Sequence, residues 1–517
     1  MGNVQDARLT EVLSGAPLVR IAAQACAERG VAVCVVGGAV RDVLLGRPIH
    51  DWDFVVERDA IRLARATAER LGADFFVLDQ ARDTGRVIFH TAKGARTFLD
   101  FALRRGPDWQ ADLEARDFTV NAMAAPLGGP DVLGGPDVLG GPDALLDPFN
   151  GRADLEARLV RAVTEHAFRD DPVRLMRAVR QAGELDFKIE PQTADWIRRD
   201  AALVSRPSAE RIRDELARLL ARPRALAGVR QLDDLGLLPH VLPEVAALRG
   251  VQQTLPHHWP VLEHTLFALG ALERMVSIAV GQDELLSCEK APDLVWEDVR
   301  RLLADFREPL AAHLLQPLGD DRPALVACKL AALLHDCAKP HTRTVGEDGR
   351  THFYNHENIG APIAAERVHA LRFTNTEVER VRVVIAEHMR PQQVADAPGG
   401  VTRRAAYRFF RATGEAGIEV MLLALADHIA THGPEVQPDR WGRRIRAARE
   451  LMAEYWARLA KSVAPARLVS GDELMAELGL APGKRVGELL EAIREAQAAG
   501  EVATREEALA LARSRLG

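Results

Sequence analysis

Apolar residues change their spacing along the chain, and the change divides it into regions. Residues 31–36 form a short β-branched apolar run ending at Gly37 and Gly38, which predicts a strand stopped by a glycine turn. Residues 39–45 return to helical spacing and close at Gly46. Further strands are predicted at 52–56, 75–78, 86–90 and 97–102, with a helix at 60–71. After Leu155 helical spacing takes over almost throughout. An arginine-rich stretch covers 156–250, amphipathic helices with scattered histidines run from about 255 to 435, and Pro465, Pro482 and Gly483 mark turns in a mixed-charge tail. The expected fold class is α+β. An N-terminal head of residues 1–155, a small sheet flanked by helices, precedes an all-helical neck (156–250), body (251–435) and tail (436–517).

Residues 128–145 read GGPDVL, GGPDVL, GGPDAL. Three copies of so short a unit cannot build a solenoid. Gly, Pro and Asp at each start favour turns, so the stretch is expected to be an expanded surface loop between two strand ends.

Composition narrows the classes of function. The 517 residues are 47% apolar and 27% charged, with a mean hydropathy of −0.10, the balance of a soluble globular chain of about three domains. No stretch approaches the roughly 18 apolar residues a bilayer requires. Residues 1–6 have neither a basic nor an apolar segment, so no secretory signal is expected. Asp6 stands where a myristoylation motif has Ser or Thr. Five cysteines without a CxxC pair read as reduced thiols and point to the cytoplasm. A net charge of −7 announces no nucleic-acid partner, so any such partner must be held by local basic surface. No protein partner is implied.

The densest chemistry lies at Val36-Gly37-Gly38-Ala39-Val40-Arg41-Asp42, followed by Asp51-Trp52-Asp53. Two glycines between a strand and a helix let the backbone approach a phosphate, with the amides of the helix start facing it. Arg41, one turn into the helix, can reach the same anion. Asp51 and Asp53 are two apart on a strand and share a face. Such a pair can hold two Mg²⁺ ions about 3.5–4 Å apart, the arrangement that activates an attacking hydroxyl and stabilises a departing pyrophosphate. Asp100, on a predicted strand, is a candidate third carboxylate.

These residues resemble the tRNA nucleotidyltransferase and poly(A) polymerase family, which includes bacterial CCA-adding enzymes. The resemblance implies that Gly37, Gly38 and Arg41 bind a nucleoside triphosphate and that Asp51 and Asp53 bind the metals. Arg116-Asp117-Phe118-Thr119-Val120-Asn121-Ala122 is similar to the family's RDFTxNA motif. The similarity implies that Arg116 contacts the nucleotide while Asp117 and Asn121 organise the sugar and the loop.

Asp170-Asp171-Pro172-Val173-Arg174 reads as a helix start, with Asp171, Arg174 and Arg177 on one face. A carboxylate beside a guanidinium suits a base edge with an amino group next to a bare ring nitrogen, which cytosine and adenine present. Uracil and guanine leave buried polar groups unpaired, at about 1–3 kcal/mol each. The segment is similar to the family's EDxxR motif, with Asp170 in place of Glu. The resemblance implies that Asp171 and Arg174 read the base and that Arg177 and Arg180 join the nucleotide site. The family's RFAARLGF continuation is replaced by Arg180-Gln181-Ala182-Gly183-Glu184-Leu185-Asp186-Phe187.

In the body, His264, His335-Asp336 and Asp427 follow the order H…HD…D of HD phosphohydrolase domains, with Ala338 where the motif HDxGKP has glycine. Imidazoles and carboxylates together ligate divalent metals. His356 and His388 stand where HD domains with a second metal supply extra ligands. The resemblance implies addition of C, C and A to the 3′ end of tRNA from CTP and ATP, with two Mg²⁺ at the head site and a divalent metal in the HD site. CC-only, A-only and poly(A) addition stay open, as does an HD metallohydrolase with an RNA-binding head.

Overall fold

A computed structural model describes residues 9, 11–91, 96–127, 145–282, 291–460 and 467–516. They divide into two compact units, residues 1–207 and 208–517.

The first unit is built on a six-stranded sheet. Its strands are β1 (Val33–Val36), β2 (Asp51–Val56), β3 (Asp74–Asp79), β4 (Thr84–His90), β5 (Arg96–Leu103) and β6 (Ala124–Leu127), in the order β3-β4-β5-β2-β1-β6. The pairing of β2 with β5 is parallel and the other pairings are antiparallel. Alternation along β2 buries Trp52 and Phe54 and leaves Asp51 and Asp53 on the opposite, open face. Phe54 stacks on Phe101 of β5 with ring centres 4.8 Å apart, so the buried side locks the register that sets the acids.

Five strands and the helices Gly38–Leu45 and Ala60–Leu71 lie where the apolar pattern predicts them, within one or two residues at each end. β6 has no counterpart in that pattern. Ala-Ala-Pro-Leu carries no alternation, and the strand exists because its backbone pairs with β1, Val36 facing Ala124. Leu146 bridges back to Ala124; the repeat lies outside the described residues except for Leu145.

The boundary between the units falls within the arginine-rich stretch. Helices Arg174–Leu185 and Pro191–Asp200 belong to the first unit, and Ala209–Leu220 begins the second. The second unit is almost wholly helical. Its centre is the Ala324–Leu334 helix, every residue of which is buried, as an all-round apolar helix requires. The long helices Val261–Ala279 and Gly417–His432 pack together and against it. The tail helices Gly471–Leu478, Lys484–Ala499 and Arg505–Ser514 close their own core around Leu474, Leu489 and Ile493. The cysteines among the described residues (Cys26, Cys34, Cys328, Cys337) are free and buried, and burial pushes the thiols up, Cys26 and Cys337 to about 12. No helix among the described residues is long and apolar enough to cross a membrane.

A buried ion pair crosses the helical core at Lys329. Lys329 Nζ donates to Glu273 Oε1 at 2.7 Å and to the Arg222 carbonyl at 2.5 Å, while Glu273 also accepts from the amides of Ala225 and Leu226. Removing one partner strands a buried charge. Lys329→Met should lower stability by about 3–5 kcal/mol in urea unfolding of the full chain, and adding Glu273→Leu should recover part of that loss.

Candidate active site and second metal centre

The first site forms where β1 hands over to the Gly38–Leu45 helix. Gly37 has φ +70° and ψ −132°, a region only glycine adopts without strain. A Cβ there would lie 3.0 Å from Arg116 Nη1 and 3.7 Å from Asp53 Oδ2. The bend thus adjoins both a guanidinium and one of the paired acids.

Parallel pairing sets Asp100 of β5 directly beside Asp53 and Phe98 beside Asp51. Asp51 accepts the Phe98 amide at 3.2 Å. Asp53 is open to solvent on one side. Protein crowding on its other sides, then the charge of Asp100, and more weakly that of Asp51, push its carboxyl up to about 6 against the pull of Arg116 and Arg177. Asp100 does not present a bare carboxylate: Arg86 of β4 holds both its oxygens at 2.7 Å. Arg116 is fixed by Asp112, one turn earlier, at 3.2 and 3.3 Å.

A buried network joins the remaining motif residues. Arg41 donates to Asn121 Oδ1 at 2.8 Å and grips Asp42 with Nε and Nη2. Asn121 Nδ2 donates to Asp117 Oδ1 at 3.0 Å and to Gln181 Oε1 at 2.9 Å. Arg177 Nη2 lies 2.8 Å from Asp117 Oδ2. Burial acts to raise the Asp117 carboxyl, but Arg177, Asn121 and the Phe118 amide outweigh it and hold it below the usual carboxylate range. Arg180 pairs with Glu184 at 2.5 Å.

Asp171 differs from the helical reading. The helix begins at Arg174, and Asp171 is extended (φ −146°, ψ 94°) after the short turn Ala167–Asp170. Asp171 therefore shares no helix face with Arg174; Pro172, which keeps the residue before it out of the helical region, accounts for the break. Arg174 is buried and donates to the carbonyls of Ala115 (2.6 Å) and Ala167 (3.2 Å).

Three participants escaped the sequence reading. Gln181 lies in the stretch that departs from the family motif and gives no signal by itself. Arg86 reaches Asp100 across a strand pairing invisible in one dimension. Asp112 had a signal, its spacing of four from Arg116.

The second centre lies in the 208–517 unit, on its buried helices. His264, His335 and Asp336 place one potential ligand atom each within 4.8 Å of one another, as do Asp336, His356 and His388, so Asp336 joins the two groups. Asp427 Oδ1 stands 3.0 Å from His264 Nε2. The Nδ1 atoms of His335, His356 and His388 face the carbonyls of Ala332, Phe353 and Ile385 at 2.9, 2.8 and 2.6 Å. Carbonyls only accept, so each Nδ1 carries the hydrogen and each Nε2 keeps its lone pair when neutral, the posture of a metal-ligating histidine. His335 Nε2 is buried without a hydrogen-bond partner. Burial, then His335 and His356, pull His388 down to about 3. Burial also pulls on His335, but Asp336 and then Asp427 prevail and raise it. Lys339 Nζ sits 2.8 Å from Asp336 Oδ2. Orphaned imidazole nitrogens around shared carboxylates fit a divalent cation. Ala338 has φ −89° and ψ −5°, a conformation open to any residue, so its replacement of glycine strains nothing.

Residues 33–161 match the poly A polymerase head domain, 186–248 a model described as "Probable RNA and SrmB- binding site of polymerase A", 310–432 the HD domain and 459–512 the tRNA nucleotidyltransferase domain 2. His264 lies outside the HD match and is brought to the centre by the fold. The chain is 34% identical over 483 residues to the A-adding tRNA nucleotidyltransferase of Deinococcus radiodurans, covering 92% of this chain and 94% of that one. It is 34% identical to the CC-adding tRNA nucleotidyltransferase of Thermus thermophilus, covering 92% of each. A solved CCA-adding enzyme in complex with CTP has the same fold, with a TM-score of 0.60, 21% identity and 98% of each chain covered. With its glycine bend and acid pair in the head and its histidine–aspartate centre in the helical unit, the chain belongs to the tRNA nucleotidyltransferase and poly(A) polymerase family and is a nucleotidyltransferase bearing an HD domain.

Proposed function

We propose that this protein adds C, C and A to the 3′ end of tRNA from CTP and ATP, without a nucleic-acid template and with release of pyrophosphate. The observation that carries the reading is that Arg116 and Asp53 both close on the Gly37 bend, 3.0 and 3.7 Å from where a Cβ there would stand. The amides at the start of the Gly38–Leu45 helix favour polyphosphate, and Arg116 offers a cation at the same place. Arg41, held by Asn121 and Asp42, keeps this edge of the pocket rigid.

Asp51 and Asp53, with Asp100 alongside, are hard oxygen donors whose mutual repulsion a divalent cation relieves, and Mg²⁺ suits them. When bound, a Mg²⁺ pair supplies activation of the 3′-hydroxyl and charge neutralisation at the α-phosphate and leaving pyrophosphate. Arg86 holds Asp100 in place, which makes Asp100 a positioning residue in this reading. Asp171 accepts the exocyclic amino group of the base and Arg174, steadied by two carbonyls, donates to the ring nitrogen. The head, neck, body and tail boundaries at 155, 250 and 435 belong to this proposal, with exposed arginines of 156–250, among them Arg158, Arg198 and Arg211, holding tRNA. The HD centre is read as a metal-dependent phosphohydrolase.

A second reading has support of its own. Relatives that span this chain are named for adding A and for adding CC, so a divided labour in which this chain performs one part is the alternative.

Three experiments test these readings. Purified protein is incubated with tRNAs ending before CCA or after CC, each with labelled CTP or ATP. Ordered incorporation of both nucleotides supports full CCA addition, CTP alone or ATP alone selects the divided reading, and long A tails select poly(A) polymerase. Asp53→Asn should abolish incorporation while raising the melting temperature of the metal-free protein at neutral pH. A carboxyl whose pKa is raised on folding weakens the fold above that pKa, so removing its charge stabilises; a lowered melting temperature contradicts the crowded-acid picture. His335→Ala should remove bound metal from the HD centre, measured by elemental analysis, and leave nucleotide addition intact; loss of addition as well contradicts two separate centres.

A further inference from the structure

The open face of the head sheet extends beyond its acids. Asp53, Asp100, Arg86 and Phe76 stand in one row across β2, β5, β4 and β3, each paired in register with the next. Residues paired in this way share a face, so Phe76, on the edge strand, points to the same side as the acids. The neighbouring row runs Asp51, Phe98, Ile88. The opposite face is packed. Val87, Leu99 and Phe101 are fully buried, and Ala64 of the Ala60–Leu71 helix lies 2.9 Å from where a Cβ on Gly85 would stand. On the acid-bearing face Phe76 is 53% exposed, Phe98 and Ile88 are half-buried, and the Arg86 guanidinium carbon lies 4.8 Å from the Phe98 ring centre. Phe76, Val77 and Leu78 are three successive exposed apolar residues, a run that a protein surface avoids unless it is used.

The glycine bend fixes the direction from which an RNA reaches the acids. β2 has β1 on one side and β5 on the other, and the Gly37 bend that seats the triphosphate in the proposed reaction lies at the end of β1. Phosphoryl transfer sets the attacking and leaving oxygens in line, on opposite sides of phosphorus. With pyrophosphate leaving on the β1 side, the attacking 3′-hydroxyl comes from the β5 side. The strand that carries it then runs over β5, β4 and β3. Three inter-strand steps of about 4.8 Å put Phe76 about 14 Å from Asp53, the reach of about four stacked nucleotides at about 3.4 Å each.

We infer that Phe76, with Phe98 and Arg86, forms a stacking platform on the head sheet that receives the unpaired 3′ end of the RNA being extended. This rests on the reading of the head as the site that extends an RNA, and adds the surface on which the last bases lie. Exposed aromatic rings and guanidinium planes on a sheet take the unstacked bases of a single strand. Such stacking tolerates any base, which suits an end whose last nucleotide changes with each addition. Phe76 touches no reacting atom and acts as a positioning residue for the RNA.

The test uses the full-length protein and an RNA hairpin with a tRNA acceptor stem, ending before CCA or after CC, whichever the protein extends. Phe76→Ala should raise the KM for this RNA on the order of 10-fold and leave the KM for the nucleoside triphosphate where it was, and Phe76→Tyr should restore the parent value. An unmoved KM for RNA, or an equal rise in both constants, overturns the platform. Replacing each of the last three nucleotides in turn by an abasic residue gives a second measurement. At the position that meets Phe76, the abasic penalty seen in the parent should vanish in Phe76→Ala; a penalty undiminished at every position overturns the platform. If neither RNA is extended, the addition reading falls, and binding of the fluorescein-labelled hairpin by anisotropy judges the platform. Weaker binding of the hairpin with an unpaired end, but not of a blunt one, in Phe76→Ala supports it, and equal binding overturns it. If Phe76→Ala instead dissolves a dimer that the parent forms in sedimentation, a second copy covers β3 and the platform is wrong.

Discussion

The backbone turn at Gly37 is the constraint from which the first centre is built. A side chain there would have to adopt φ +70° and would press on the Arg116 guanidinium at 3.0 Å. A backbone of positive φ outside the left-handed helical well costs an ordinary residue on the order of 1–3 kcal/mol, and the clash adds to that. Glycine removes both penalties, and the polypeptide can pass close to Asp53. Arg116 is pinned by Asp112 and Arg41 by Asn121, so the groups around the bend are oriented before any substrate arrives. Such preorganisation lets binding energy go into the reaction instead of into ordering side chains.

The two centres handle charge in opposite ways. At the head, acids sit together on an open sheet face, and burial, followed by the charge of Asp100, pushes the Asp53 carboxyl up to about 6. In the helical unit the acids are sealed among imidazoles, and Asp336 and Asp427 are held well below the usual carboxylate range, burial being outweighed by the histidines and, for Asp336, Lys339. A cation entering there replaces a shared positive charge and does not relieve repulsion. The first arrangement leaves a raised carboxyl on the sheet, while in the second the polar cluster is neutralised within the core.

The departures from the family motifs find separate physical explanations. Ala338 occupies a right-handed conformation in which a Cβ is harmless. Gln181, inside the altered segment after Arg180, supplies the acceptor that satisfies the second hydrogen of the Asn121 amide. Asp171 shows the limit of periodicity: spacing of three suggested a shared helix face, but Pro172 keeps it extended and the helix starts later. Asp100 shows another limit, for its strand and its candidacy as a third carboxylate were foreseeable while Arg86, which occupies both its oxygens, was not.

Local chemistry alone determined the glycine bend, the shared face of Asp51 and Asp53, most strands of the head and the mainly helical character of the chain after Leu155, because each follows from backbone sterics or from the period of side chains along one element; the short strand pairs there, such as Arg343–Val345 with Thr351–Phe353, gave no such signal. The motif residues themselves were likewise readable. Only the tertiary structure decided that β6 exists, that β5 lies parallel to β2, that Arg86 closes on Asp100, and that six residues spread from His264 to Asp427 converge on one buried centre. Those features depend on pairings between distant segments, and the free energy that selects them comes from burying faces together, a quantity that no short window of sequence contains.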